Sequence, residues 1–240
     1  MVQNNLAVFD FDWSLIEEDS DHWAISRLSP EQWEICLAQR GRVSIDTMDE
    51  AICKLQDQGI TKSQFEKVLK TIPMTSAMID TLKKLNANNT RVLIVSDANT
   101  FYIETILEAY NVRNLVTDII TNRFYTDSHG RFRIDRRTPA SGPQHNCPQG
   151  CSANLCKGME LTRYIETHGP FSKVMYVGDG KNDYCPCTHL RDTDRVFARS
   201  GRALSNLLAP GSEHAGKVKA NITFWETSDT VLDRVNKEGL

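Results

Sequence analysis

No stretch of these 240 residues approaches the roughly 18 consecutive apolar residues that span a bilayer. The opening MVQNNLAVFD also lacks the basic segment followed by an apolar core that marks a secretory leader. Charge of one sign is equally missing. Twenty-eight Lys+Arg against 31 Asp+Glu leave a formal net charge of -3, and no long run of either sign offers a hold for nucleic acid or an anionic membrane. The expectation is therefore a cytoplasmic chain, monomer or homodimer, with a small molecule as partner and neither nucleic acid nor membrane. Seven cysteines are an odd number without secretory context, which argues against a disulfide framework and for thiols or metal ligands.

Short apolar runs recur with helical patterns between them: Leu6 to Phe9, Val92 to Val95, Asp118 to Thr121, Val174 to Val177, Arg195 to Ala198 and Ile222 to Trp225. Runs of this length, rich in Val, Ile and Phe, suit parallel strands buried on both faces. Ile103, Ile106, Leu107 and Tyr110 repeat at helical spacing between the second and third runs. The grammar is βαβ, and it predicts an α/β fold with a Rossmann-like, doubly wound parallel sheet.

One block breaks the rhythm. From about Ser20 to Thr75 no strand is predicted, while Met48, Ala51, Ile52 and Leu55 form one apolar stripe and Phe65, Val68, Leu69 and Ile72 another. Thr61 and Gln64 read as a capping box for the second of these helices. A helical cap over residues 16–75, inserted after the first strand into a core of 1–15 and 76–240, is expected to lie over the carboxyl ends of the strands. Later, Gly130 sits between two aromatic-bearing segments that resemble a hairpin. Its basic stretch from Arg131 to Arg137 reads as a solvated edge.

Four predicted strand or helix ends carry polar, reactive side chains: Asp10 and Asp12, Ser96, Lys157, and the GDGKND segment with Asp179 and Asp183. Strand carboxyl ends of a parallel sheet share one edge, so these residues converge. A single Asp before a turn is ordinarily a cap. Four acids together are different, because they cannot stay ionised without a counter-charge. All-oxygen ligands and room for a phosphate suit Mg²⁺, with Lys157 and Ser96 completing an anion-holding crevice.

These residues match the haloacid dehalogenase superfamily in order: DFDWS for its first motif, VLIVS for its second, Lys157 for its third and GDGKND for its fourth. The strings FDFDWSLIEEDSD, VSDANTFYIETIL, CSANLCK, YVGDGKNDYCP and FWET resemble the phosphoethanolamine/phosphocholine phosphatase family and its plant and fungal relatives. The resemblance implies a phosphatase in which Asp10 is the nucleophile and forms a phosphoaspartate. Asp12 would be the general acid and base, and Ser96 and Lys157 would hold the phosphoryl group. Mg²⁺ would be held by Asp10, Asp12 and Asp179 with Asp183. Within the family, acids matching Asp21 and Asp97 are implicated in holding an amine or trimethylammonium head, and Asn99, in the SDAN string, joins them as a substrate-binding expectation. Phosphocholine and phosphoethanolamine lead as substrates; pyrophosphate, thiamine monophosphate and pyridoxal phosphate are the alternatives on the same scaffold.

Trp13 departs from the family's small or charged residue. It either meets substrate, by stacking or cation–π attraction, or packs beneath the cap. His22, Trp23 and Trp33 read as cap core rather than substrate contacts. His145, Cys147, Cys151 and Cys156 offer four zinc-type ligands at loose spacing, which leaves free thiols and a structural zinc site both open. Cys185 and Cys187 read as packing residues. A phosphorylation-driven signalling receiver would also cluster acids, a hydroxyl and a lysine on such a sheet. It needs neither a second acid two residues after the first nor a cap, and an idle binding protein needs none of the set.

Overall fold

The computed structural model describes residues 4–39 and 41–239. The outermost residues of the expected core span, 1–3 and 240, and residue 40 of the expected cap lie outside them. Seven strands form one sheet in the order β4-β3-β2-β1-β5-β6-β7. Six are parallel: β1 (Leu6–Phe9), β2 (Arg91–Asn99), β3 (Asp118–Thr126), β5 (Val174–Gly178), β6 (Arg195–Arg199) and β7 (Asn221–Trp225). Only β4 (Phe132–Asp135) runs back, antiparallel to β3.

Successive strand residues face opposite layers, as the pleat requires. Ala7, Phe9, Val92, Ile94, Met175 and Val177 join a core that includes α5 (Ser76–Ala87), α6 (Thr100–Ala109) and α10 (Ser228–Glu238). Leu6, Val8, Leu93, Val95 and Tyr176 join the other, under α7 (Lys157–His168) and the short α9 (Ala203–Leu207). Both faces are covered, which is why β1 reads LAVF with no polar alternation. The fold is the doubly wound α/β architecture expected of the sequence.

Between β1 and α5 lie α1 (Ser20–Leu28), α2 (Pro30–Ala38), α3 (Ser44–Asp57) and α4 (Lys62–Leu69). The α3 stripe of Met48, Ala51, Ile52 and Leu55 is buried, as are Phe65 and Leu69 of α4, and the Thr61–Gln64 capping box is formed. Trp23 donates its indole N–H to the Val68 carbonyl and packs on the main core, joined there by the half-buried Trp33, against which exposed His22 lies at 4.9 Å.

The basic hairpin is not a solvated edge. Arg133 forks onto Asp49 at 3.0 and 2.8 Å, Arg136 pairs with Asp46, and Arg131 with Asp57 at 3.0 Å. The edge amides of Phe132 and Ile134 donate to Gln56 Oε1 and Asp49 Oδ1 at 2.9 and 2.7 Å. Acidic and amide side chains of α3 therefore occupy the hydrogen-bonding positions that a further strand would take. The positive charge of β4 serves docking onto the inserted helices rather than repulsion of other molecules.

Candidate active site

In parallel register, Phe9 lies level with Ile94 of β2 and Val177 of β5. The next turns of chain from all three strands thus open on one edge, bringing Asp10, Ser96 and Asp179 together. After β1 the chain makes a tight π-type turn over Phe11–Leu15 that includes Trp13 at φ 56. A bulky residue there is strained, a feature that collects at functional sites. The turn points Asp10 and Asp12 the same way, and Ser20 at the start of α1 donates its amide to Asp12 Oδ1 at 2.9 Å.

Lys157, the first residue of α7, is 1% exposed and reaches Asp10 Oδ1 at 2.7 Å and Asp183 Oδ1 at 2.8 Å. Burial would lower its ammonium pKa, but Asp10 and Asp183 outweigh burial and hold it above the ordinary lysine value. Asp10 Oδ1 also accepts from the Phe11 amide at 2.7 Å. Among the described residues no hydrogen bond reaches Asp10 Oδ2. Burial, then repulsion from Asp183, pushes the Asp10 carboxyl up, against the pull of Lys157.

Asp183 is filled by donors. Its Oδ1 accepts from Lys157 and from the Tyr176 hydroxyl at 2.7 Å, and its Oδ2 from the amides of Asp179 and Gly180 at 2.9 and 2.8 Å. Gly178 leaves room for this, since a Cβ there would stand 2.6 Å from the Asp183 carboxyl carbon. Asp183 therefore fixes the loop that carries Asp179 and steadies Lys157, rather than presenting a vacant oxygen. Asp179 is more open; burial and Asp183 raise it to about 6.

One oxygen each from Asp10, Asp179 and Asp183 lies within 4.8 Å of the others. Three buried carboxylates against one lysine leave an excess of negative charge, and hard oxygen donors fit a hard divalent cation. Burial, then Asp19, raises the Asp12 carboxyl to about 8, partly offset by the Ser20 amide hydrogen bond. A carboxyl that keeps its proton near neutral pH is suited to protonate a leaving oxygen.

A cavity of about 270 Å³ opens over these groups, lined by Asp10, Asp12, Trp13, Asp19, Asp21, Ser44, Ser96, Asp97, Ala98, Asp179 and Asn182. Its lining is strongly acidic. Asp21 Oδ1 is buried there without a hydrogen-bond partner, and its carboxyl is raised by burial and by Asp19, Asp12 and Asp97. Asp97, by contrast, is already held by the Asn182 and Asn154 amides at 2.6 and 3.0 Å. A larger cleft of about 760 Å³ beside the hairpin is walled by the ion pairs of α3 and β4 and holds none of the motif residues.

Three expectations need revision. Asn99 caps α6 through Tyr102 N, is fully buried and does not line the cavity; an Asn at the start of a helix is drawn to that role. Trp13 lines the cavity, but Arg202 lies 3.6 Å from its ring centroid and Arg199 5.8 Å. The cation on Trp13 is thus the protein's own. His145 stands apart from the cysteine group: its ring meets Ser152 O at 2.9 Å and the Cys147 amide at 3.2 Å, and Cys185 takes the fourth place beside Cys147, Cys151 and Cys156. Residues that the sequence reading missed include Tyr176, Asn154, Asn182 and Arg202. Strand-end placement was a usable signal for Asn182 and Arg202; nothing local marks Tyr176.

Together these groups define a phosphatase of the haloacid dehalogenase type, a phosphoric monoester hydrolase. The chain belongs to the family described as Putative Phosphatase, whose model matches residues 5–237. It is 32% identical to Inorganic pyrophosphatase 2 of Arabidopsis thaliana over 99% of this chain and 85% of that protein. It is 29% identical to Pyridoxal phosphate phosphatase PHOSPHO2 of Mus musculus over 96% of each. The solved phospho-aspartyl intermediate analogue of a phosphoserine phosphatase shares the fold, with a TM-score of 0.62 at 17% identity, covering 98% of this chain and 99% of that one. Among the described residues no helix is long and apolar enough to cross a membrane.

Proposed function

We propose that this protein is a Mg²⁺-dependent phosphatase that works through a phosphoaspartate on Asp10 and prefers a small phosphomonoester bearing a cationic group, phosphocholine or phosphoethanolamine. The observation that carries the preference is the buried, unpartnered Asp21 Oδ1 on an acidic cavity wall. A positive head group would supply the charge that this wall lacks. A cavity of about 270 Å³ suits a compact substrate.

In this reading Asp10 Oδ2 attacks phosphorus, and Asp12 gives its proton to the departing oxygen. Asp12, now ionised, then takes a proton from the water that hydrolyses the acyl phosphate. Lys157 and Ser96 hold phosphoryl oxygens, so positioning and charge provide most of the acceleration. Mg²⁺ would be held by Asp10, the Asp12 backbone carbonyl and Asp179, with Asp183 behind them, and would neutralise charge on the phosphoryl group. The inserted helices act as the cap that encloses the substrate, supplying Asp19, Asp21 and Ser44 to the cavity.

A second reading, pyrophosphate, pyridoxal phosphate or thiamine monophosphate, is favoured by similarity to relatives whose names carry pyrophosphate, pyridoxal phosphate and thiamine phosphate. Pyrophosphate would bring a second anion against Asp19, Asp21 and Asp97, which disfavours it electrostatically. Comparing kcat/KM across phosphocholine, phosphoethanolamine, pyrophosphate, thiamine monophosphate and pyridoxal phosphate decides between them. Values for the two amino-alcohol phosphates well below the others would overturn the ranking.

A further inference from the structure

Four thiols from two separate stretches of chain meet beside the acidic site without belonging to it. Cys147 and Cys151 lie on the irregular segment between β4 and α7, Cys156 caps α7, and Cys185 lies on the short α8 (Tyr184–Cys187). Their sulfurs all lie within 4.8 Å of one another. Cys147 Sγ is 3.6 Å and Cys156 Sγ 3.8 Å from Cys185 Sγ. All four are free thiols. In a tetrahedron with metal–sulfur bonds of about 2.3 Å, neighbouring sulfurs stand about 3.8 Å apart.

We propose that Cys147, Cys151, Cys156 and Cys185 form a structural Zn²⁺ site. Four soft sulfur ligands select zinc over Mg²⁺, and a closed set of four leaves no open position for chemistry. The surroundings are shaped to the thiol group. A Cβ at Gly158 would stand 2.5 Å from Cys185 Sγ and 3.1 Å from the His189 ring, so only glycine lets the first turn of α7 approach.

The position gives the ion a purpose. Lys157 directly follows Cys156, and Cys185 is two residues beyond Asp183, so one ion would fasten the otherwise irregular 136–156 segment to both groups that contact Asp10 or Lys157. Asn154, which holds Asp97, lies within the same fastened segment.

The test is elemental analysis of the full chain after exhaustive dialysis, with Cys147→Ser, Cys151→Ser and, as a thiol outside the cluster, Cys53→Ser. The expected result is stoichiometric zinc in the wild type and Cys53→Ser, with zinc affinity lowered at least about 10-fold in the two cluster variants, the loss that even an outer-shell change produces. Cobalt substitution should give intense thiolate-to-cobalt absorption with the visible bands of a tetrahedral ion. Because Cys147 and Cys151 are only partly buried and lie outside the hydrophobic core clusters, their replacement leaves the buried core intact. Sub-stoichiometric zinc, iron in its place, or zinc held equally by every variant overturns the site. The readout is metal content, so it stands apart from whether the phosphatase reading survives.

Discussion

Lys157 Nζ lies 2.7 Å from Asp10 Oδ1 in a site where the lysine is 1% exposed. The same ammonium reaches Asp183, so it is the shared counter-charge of two buried acids. Removing it as Lys157→Met leaves both carboxylates uncompensated. The expected cost is about 3–5 kcal/mol in unfolding free energy, with kcat lowered about 100-fold or more through loss of the phosphoryl contact proposed for Lys157. Denaturant unfolding and steady-state kinetics measure the two. A variant as stable and active as the wild type would contradict the role.

Asp12 should set an alkaline limb. Its folded-state pKa is raised to about 8 by burial and Asp19, and the protonated form is the one proposed to act as acid. Activity on esters with poor leaving groups should therefore fall as pH rises through that value. Hydrolysis of p-nitrophenyl phosphate, whose leaving group needs no proton, should lack the limb under the same conditions. Superimposable profiles for the two substrate types would remove Asp12 from the acid role.

Asp21 presents a conflict between function and stability. Its carboxyl is raised by burial and by Asp19, Asp12 and Asp97, so above the ordinary carboxylate range the unfolded chain ionises more readily than the folded one. The carboxyl therefore costs stability as pH rises from that range toward the folded pKa. Asp21→Asn should raise Tm at neutral pH, with the gain shrinking as pH falls to the ordinary carboxylate range. The same variant should lower kcat/KM for phosphocholine and phosphoethanolamine more than for p-nitrophenyl phosphate. Equal losses on charged and uncharged esters would dissociate Asp21 from head-group selection.

The docking of β4 on α3 turns on Asp49, which accepts from both Arg133 and the Ile134 amide. Asp49→Ala should destabilise the protein by about 1–3 kcal/mol, the cost of stranding part-buried donors. Hydrogen exchange should show the loss concentrated at Phe132 and Ile134. Unchanged protection there would mean that the edge is held by packing alone.

The sheet was legible because strands buried on both faces must be apolar throughout, and their acid-bearing ends converge by topology. The α4 capping box was legible because Thr61 and Gln64 interact locally. What escaped depended on partners distant in sequence. The charge of Arg131, Arg133 and Arg136 says nothing of Asp57, Asp49 and Asp46 until α3 is placed beside β4. Cys185 joins the other thiols only through the turn after β5, whereas His145, nearer in sequence, is taken up by local hydrogen bonds. Trp13 was open between substrate and packing; Arg202, nearly two hundred residues away, covers its ring.

Asp10 is proposed as the group that attacks phosphorus. Phosphate release from p-nitrophenyl phosphate, measured for the wild type and Asp10→Asn with Mg²⁺ and with EDTA, is the decisive experiment. Repeated turnover is expected only for the wild type with Mg²⁺, and none for Asp10→Asn under either condition. Near-normal release by Asp10→Asn, or wild-type turnover indifferent to EDTA, would contradict it.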